Sequence, residues 1–144
     1  MSTSLYDSDF YAWANEQAAL LRAGKLSAAD IEHIAEEIES MGKAEKRELV
    51  NRLAVLLQHL LKWQHQPERR GKSWAATVKV QRRDLARHLK DNPSLKAKLD
   101  EAIEDAYGDA VLLAAGEADL AESTFAVACP WPFERIMDAD FLPD

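Results

Sequence analysis

Residues 43–66, KAEKRELVNRLAVLLQHLLKWQHQ, decide the fold class. Leu49, Leu53, Leu56, Leu57, Leu60 and Leu61 stand at i, i+4, i+7, i+8, i+11 and i+12, which is one face of a helix with about 3.6 residues per turn. The spacing predicts a central core helix from about Lys43 to Gln66. Pro67 ends it, because a proline pushes the residue before it out of the α region. Working outward, the five glycines and five prolines separate helical segments, and no alternating β-branched run appears.

Upstream, a helix is expected from about Ser8 to Ala23, with Asp7 as N-cap, Gly24 as stop, and Phe10, Tyr11 and Trp13 heading its core-facing side. Ser27-Ala-Ala-Asp30 reads as a capping-box variant opening a second helix, with Ile31, Ile34, Ala35, Ile38 and Met41 at helical spacing and Gly42 as its end. Downstream, Ser73 is the expected cap of a fourth helix with Trp74, Val78, Gln81, Leu85, His88 and Leu89 on one face. Asn92 and Pro93 open a fifth, which is expected to bury Leu95, Leu99, Ile103, Ala106, Ala110 and Leu113 and to be weakened at Gly108 and Gly116. The tail from Ser123 is dense in aromatics and reads as docked on the core, with Pro132 starting a short helix. Residues 1–144 are therefore read as a single all-α domain, an up-and-down helical bundle of about four long helices plus a fifth element and an aromatic C-terminal tail.

Charge is segregated along the chain. Leu49 to Leu99 holds 12 Lys and Arg against 3 Asp and Glu, a net of +9, while the flanks carry −5 and −11 and the whole chain −7. An acidic total of this kind is compatible with an exposed basic face. The single cysteine, Cys129, rules out an internal disulfide framework and suits a reducing compartment, so a cytoplasmic address is expected. The N-terminus has acidic residues where an export signal has basic ones, and no apolar run reaches the about 20 residues of a membrane span.

The strings EEIESMGK (36–43), RLAVLLQHLLKWQHQPERR (52–70), SWAATVKVQRRDL (73–85), DNPSL (91–95) and CPWPFERIMDADFLP (129–143) resemble the bacterial family catalogued as domain of unknown function 29. The resemblance spans nearly the whole chain. It implies a small, all-helical, cytoplasmic bacterial protein, and it carries over no catalytic residues. The family's characteristic positions are represented by Trp63, Gln66, Pro67, Arg70, Ser73, Trp74, Gln81 and Arg82, around one loop and its two flanking helices.

That corner, with Arg69 added, is the first candidate site. Two indoles flanking arginines and amides suit a binding hot spot; they equally suit a helix hairpin locked by its own side chains. Gln81 interrupts an apolar stripe and needs a partner if buried. The second candidate is the basic stripe Lys79, Arg83, Arg87 and Lys90 along the fourth helix, with Arg82 beside it. It offers phosphate neutralisation, or a solvated or internally paired face. No metal set is assembled: Asp30-x-x-His33 approximates half of a carboxylate-bridged site, while His59 and His65 fall on different faces. No catalytic constellation and no cofactor motif appear, since RRGKSW (69–74) lacks the upstream glycine and strand of a phosphate loop. The reading is a protein-interaction module with a charged, aromatic-bearing surface. A homodimer is compatible with it, no membrane is involved, nucleic-acid binding through the fourth helix is the alternative, and a metal-binding or enzymatic bundle comes third.

Overall fold

A computed structural model describes residues 4–144. The described residues form helices without strands: α1 (Leu5–Ser8), α2 (Phe10–Arg22), α3 (Ile31–His65), α4 (Lys72–Asp91), α5 (Leu99–Ala118) and α6 (Phe133–Ile136). Four of the six are long, and the architecture is an all-α helical bundle. Short 3-10 turns at Leu26–Ala28, Pro67–Arg69, Pro93–Lys98 and Glu122–Thr124 punctuate the connections. The chain divides into two compact units, the first closing at Ala44 and the second formed by Glu45–Asp144.

In the first unit, Ser4 caps the single turn α1, and Asp9 replaces the expected Asp7 as cap of α2, its Oδ1 accepting from Ala12 N at 3.1 Å. The α2 stop is as the sequence indicates. Gly24 lies at φ 71°, Gly24 N donates to Leu21 O, and Lys25 N donates to Leu20 O, the paired bonds of a glycine-terminated helix. Asp30, rather than Ser27, caps α3, with Oδ1 3.3 Å from His33 N.

The larger correction is Gly42. The expected second and third helices are one continuous helix, α3, and Gly42 is an interior residue of it. A glycine ends a helix when the chain also turns away through the left-handed region, and Gly24 alone among the glycines does so. Inside a run of good helix formers, its cost of about 1 kcal/mol relative to alanine is absorbed by the neighbouring turns.

The second unit carries the main core. Leu49, Leu53, Leu56, Leu57, Leu60 and Leu61 of α3 are all buried, as their spacing requires, and they meet Val78, Leu85 and Leu89 of α4 and Ala102, Ala106 and Ala110 of α5. Each buried leucine contributes about 1.5–3 kcal/mol. Small residues on the buried face of α5 explain why that helix shows so weak a hydrophobic stripe. Leu113, expected inside, is about half exposed, and α5 runs through Gly108 and Gly116 to end at Asp119 in the left-handed region at φ 55°. One further cap differs from expectation: Gly71, not Ser73, precedes α4. Asn92 and Pro93 open the next helical segment as expected, the 3-10 turn Pro93–Lys98 that runs into α5 at Leu99, while Asn92 Nδ2 also donates back to His88 O at the end of α4. The aromatic tail docks as expected: Phe125 and Ile136 are buried, Tyr107 Oη donates to Ala126 O at 2.7 Å, and Trp131 meets Phe141 edge-on.

Candidate functional site

The corner between α3 and α4 is built from cations laid over indoles. Arg70 covers the Trp63 ring at 5.5 Å and its Nε donates to Trp63 O at 2.6 Å, which satisfies a carbonyl at the end of α3. Lys62 covers the Trp74 ring at 4.7 Å and pairs with Glu117 Oε2 at 2.7 Å. Lys62 thereby holds the Glu117 carboxyl below its usual range. Both indoles are half-buried, and among the described residues they form no ring–ring pair with each other. Gln66 is buried, while Arg69 and Ser73 are exposed. Gln81 is half-buried, and its Oε1 has no hydrogen-bond partner.

Arg82 departs furthest from its expected place in an exposed basic set. It is 8 % exposed, Nε donates to Ile136 O at 2.8 Å, and an outer guanidinium nitrogen donates to Phe141 O at 2.7 Å. Two carbonyls of the tail are thus held by one planar fork, a geometry lysine lacks. Burial pushes the guanidinium pKa down, and Asp138 works against that shift.

Lys79, Arg83, Arg87 and Lys90 are all exposed along α4. Arg83 approaches its neighbour Asp84 at 3.4 Å. Among the described residues Lys79, Arg87 and Lys90 enter no ion pair. The acidic segments answer other cations of the chain: Glu101 takes Lys46, and Glu117 takes Lys62.

The first unit holds a cluster that sequence reasoning left unassembled. Asp30 accepts from Trp13 Nε1 at 3.1 Å through Oδ2, the oxygen that also lies 2.7 Å from His33 Nδ1. Asp30 N donates to the buried Gln17. Tyr6 stacks on the His33 ring at 4.0 Å, meets Trp13 edge-on, and donates its hydroxyl to Glu37. The hydrogen bond to Glu37 pushes the Tyr6 pKa up to about 12. The His33 contact lowers Asp30, and the same contact raises His33. The Asp30-x-x-His33 spacing was the legible part of this cluster; Tyr6 and Trp13 come from elements too far along the chain for periodicity to align.

Around that polar cluster the first unit leaves large apolar side chains uncovered. Ile31, Ile38 and Met41, expected in the core, are 54 %, 63 % and 67 % exposed, and Ile34 beside them is half-buried. Residues three, four and seven apart share a helix face, so these side chains form one ridge on α3. Phe10 and Tyr11 of α2, expected to face the core, are also exposed.

A last grouping lies in the second unit. Glu45 and Glu48, one turn apart on α3, and His88 of α4 bring three donor atoms within 4.8 Å of one another. His88 was read only as part of the apolar face of α4. Cys129 is half-buried, and burial pushes its thiol pKa up, away from a reactive thiolate. Among the described residues no helix is long and apolar enough to cross a membrane.

A family model described as "Domain of unknown function DUF29" matches residues 5–142. No curated protein and no solved structure matches the chain.

Proposed function

This chain belongs to the family of domain of unknown function DUF29, and on that premise we propose that it is a protein-interaction module acting as one unit of function. The single observation that carries the reading is the α3 ridge of Ile31, Ile38 and Met41, which leaves apolar side chains in water along one helix face. Exposed apolar surface in a contiguous strip marks a docking face. An amphipathic helix of the partner, packed along the ridge by its own apolar face, is the occupant such a strip fits. Phe10 and Tyr11 add the aromatic component of the same unit. The cysteine usage suits a reducing compartment, and the family resemblance suits a bacterial cytoplasm.

The test is affinity capture with the native chain and with Ile38→Glu and Met41→Glu, each checked for helix content by circular dichroism. A partner that binds the native chain directly, and whose affinity falls at least tenfold in both variants, supports the reading. A partner held equally by all three proteins contradicts it. Light scattering on the isolated chain separates a second copy, the homodimer, from a different protein.

A second reading rests on its own observation, the open stripe Lys79, Arg83, Arg87 and Lys90. Four cations along one face suit a polyanion such as nucleic acid, with a slope of about −0.9 in log K against log salt for each duplex phosphate neutralised. Anisotropy titrations of a duplex at several salt concentrations decide it. Salt-sensitive binding lost in Arg83→Glu/Arg87→Glu favours the nucleic-acid reading over the ridge.

A further inference from the structure

We propose that Glu45, Glu48 and His88 form a binding site for a divalent transition-metal ion of the zinc type. His88 supplies the decisive geometry. Its side chain is 7 % exposed, and Nε2 lies 2.8 Å from Glu45 O, to which it donates. That bond occupies Nε2, so Nδ1 is the ring nitrogen left to act as a ligand. Nδ1 lies 3.3 Å from Glu48 Oε2 and 3.6 Å from Glu45 Oε2, contacts that an ion pair makes when the ring is protonated and that a cation can replace when it is not.

The two histidine–carboxylate distances fit such a cation, and all three donor atoms lie within 4.8 Å of one another. Metal–ligand bonds of about 2.0–2.2 Å in a tetrahedron give ligand–ligand edges of about 3.3–3.6 Å. One nitrogen and two carboxylate oxygens suit zinc or cobalt better than magnesium, which prefers an all-oxygen octahedron. The surroundings follow the pattern of metal-bound histidine, whose second ring nitrogen donates to a backbone carbonyl. Arg52 grips the other Glu48 oxygen, Oε1, at 2.8 Å, and it reaches Asp84 Oδ2 at 3.3 Å. Glu48 is thereby oriented with Oε2 toward His88. The three donors line an open cavity of about 440 Å³ shared with Asp84, Asp91, Arg52 and Arg87. Four carboxylates against two guanidiniums leave an excess of two negative charges, which a divalent ion neutralises. Three protein ligands leave at least one coordination position to solvent.

The experiment is zinc titration of the chelator-stripped full chain by calorimetry, with cobalt absorption as a report on nitrogen ligation. The expected result is saturable binding of one ion per chain, weakened at least tenfold in Glu45→Gln and in His88→Gln. Glu45→Gln guards against misfolding, because the side chain is partly exposed and the backbone carbonyl that holds His88 is retained. Native-like circular dichroism for Glu45→Gln makes its loss of zinc interpretable. Absence of one-to-one binding in the native chain, or binding undiminished in folded Glu45→Gln, overturns the proposal. Neither outcome bears on the ridge, which lies on other residues.

Discussion

Single residues divide into those whose role follows from spacing and those whose role follows from a distant partner. Leu57 is of the first kind: fully buried in the α3 stripe, it should cost about 2–5 kcal/mol when cut to alanine, read by chemical denaturation. A loss below about 0.5 kcal/mol would remove it from the core. Arg82 is of the second kind, since a lone arginine beside a basic stripe looks like surface until the tail carbonyls of Ile136 and Phe141 arrive. Arg82→Lys should lower the melting temperature and open the tail to limited proteolysis, because hydrogen bonds from a charged group contribute about 1.5–3 kcal/mol each. An unchanged melting temperature would show that the tail docks without it. Asp30 and His33 set a pH dependence whose sign is fixed by their opposite shifts. The lowered Asp30 pKa gives stability present above the unfolded carboxylate range and lost as pH falls through its folded value. The raised His33 pKa gives stability complete below the unfolded value of about 6.5 and lost as pH rises through its folded value. Asp30 is the main cause of the His33 shift, with Glu36 and Asp7 adding to it. Denaturation from pH 5.5 to 8.5 should therefore show a decline that is smaller in His33→Gln; identical slopes would break the link.

At the scale of elements, most of the fold was legible because helices announce themselves by periodicity. The α3 leucine face, the buried face of α4 and the Gly24 stop needed only nearest turns to be read correctly. What was not legible was whether a local signal would be used. Gly42 has the composition of a stop, yet stopping also depends on where the following residues go, and Lys43 to Leu49 simply continue the helix. Gly42→Ala tests this, since an added Cβ meets nothing within 4 Å and the backbone is not left-handed. It should stabilise the chain by about 0.5–1 kcal/mol. Destabilisation would mean that α3 breaks at Gly42 in solution, as the sequence alone suggests. The N-caps failed for a related reason. Asp7 and Asp9, or Ser27 and Asp30, are chemically equivalent caps, and the choice between them is made by packing.

At the scale of the whole molecule, the candidate sites were legible in inverse proportion to the reach of the contacts that build them. The corner residues Trp63, Arg70 and Trp74 were found because they are close in sequence, and the cations that cover them mostly come from the same stretch. The Tyr6, Trp13, Asp30 and His33 cluster joins three elements, and the Glu45, Glu48 and His88 grouping two, that no periodicity relates. The ridge was visible as a helical stripe but was assigned to the core, because periodicity identifies an apolar face without saying what covers it. Among the described residues nothing covers Ile38 and Met41, and the proposed function has a partner cover them. Hydroxyl-radical footprinting of the chain alone and bound to its captured partner measures this directly. Protection should concentrate at Ile31, Ile38 and Met41; protection absent from these residues and confined to Lys79 through Lys90 would rule the ridge out as the docking face.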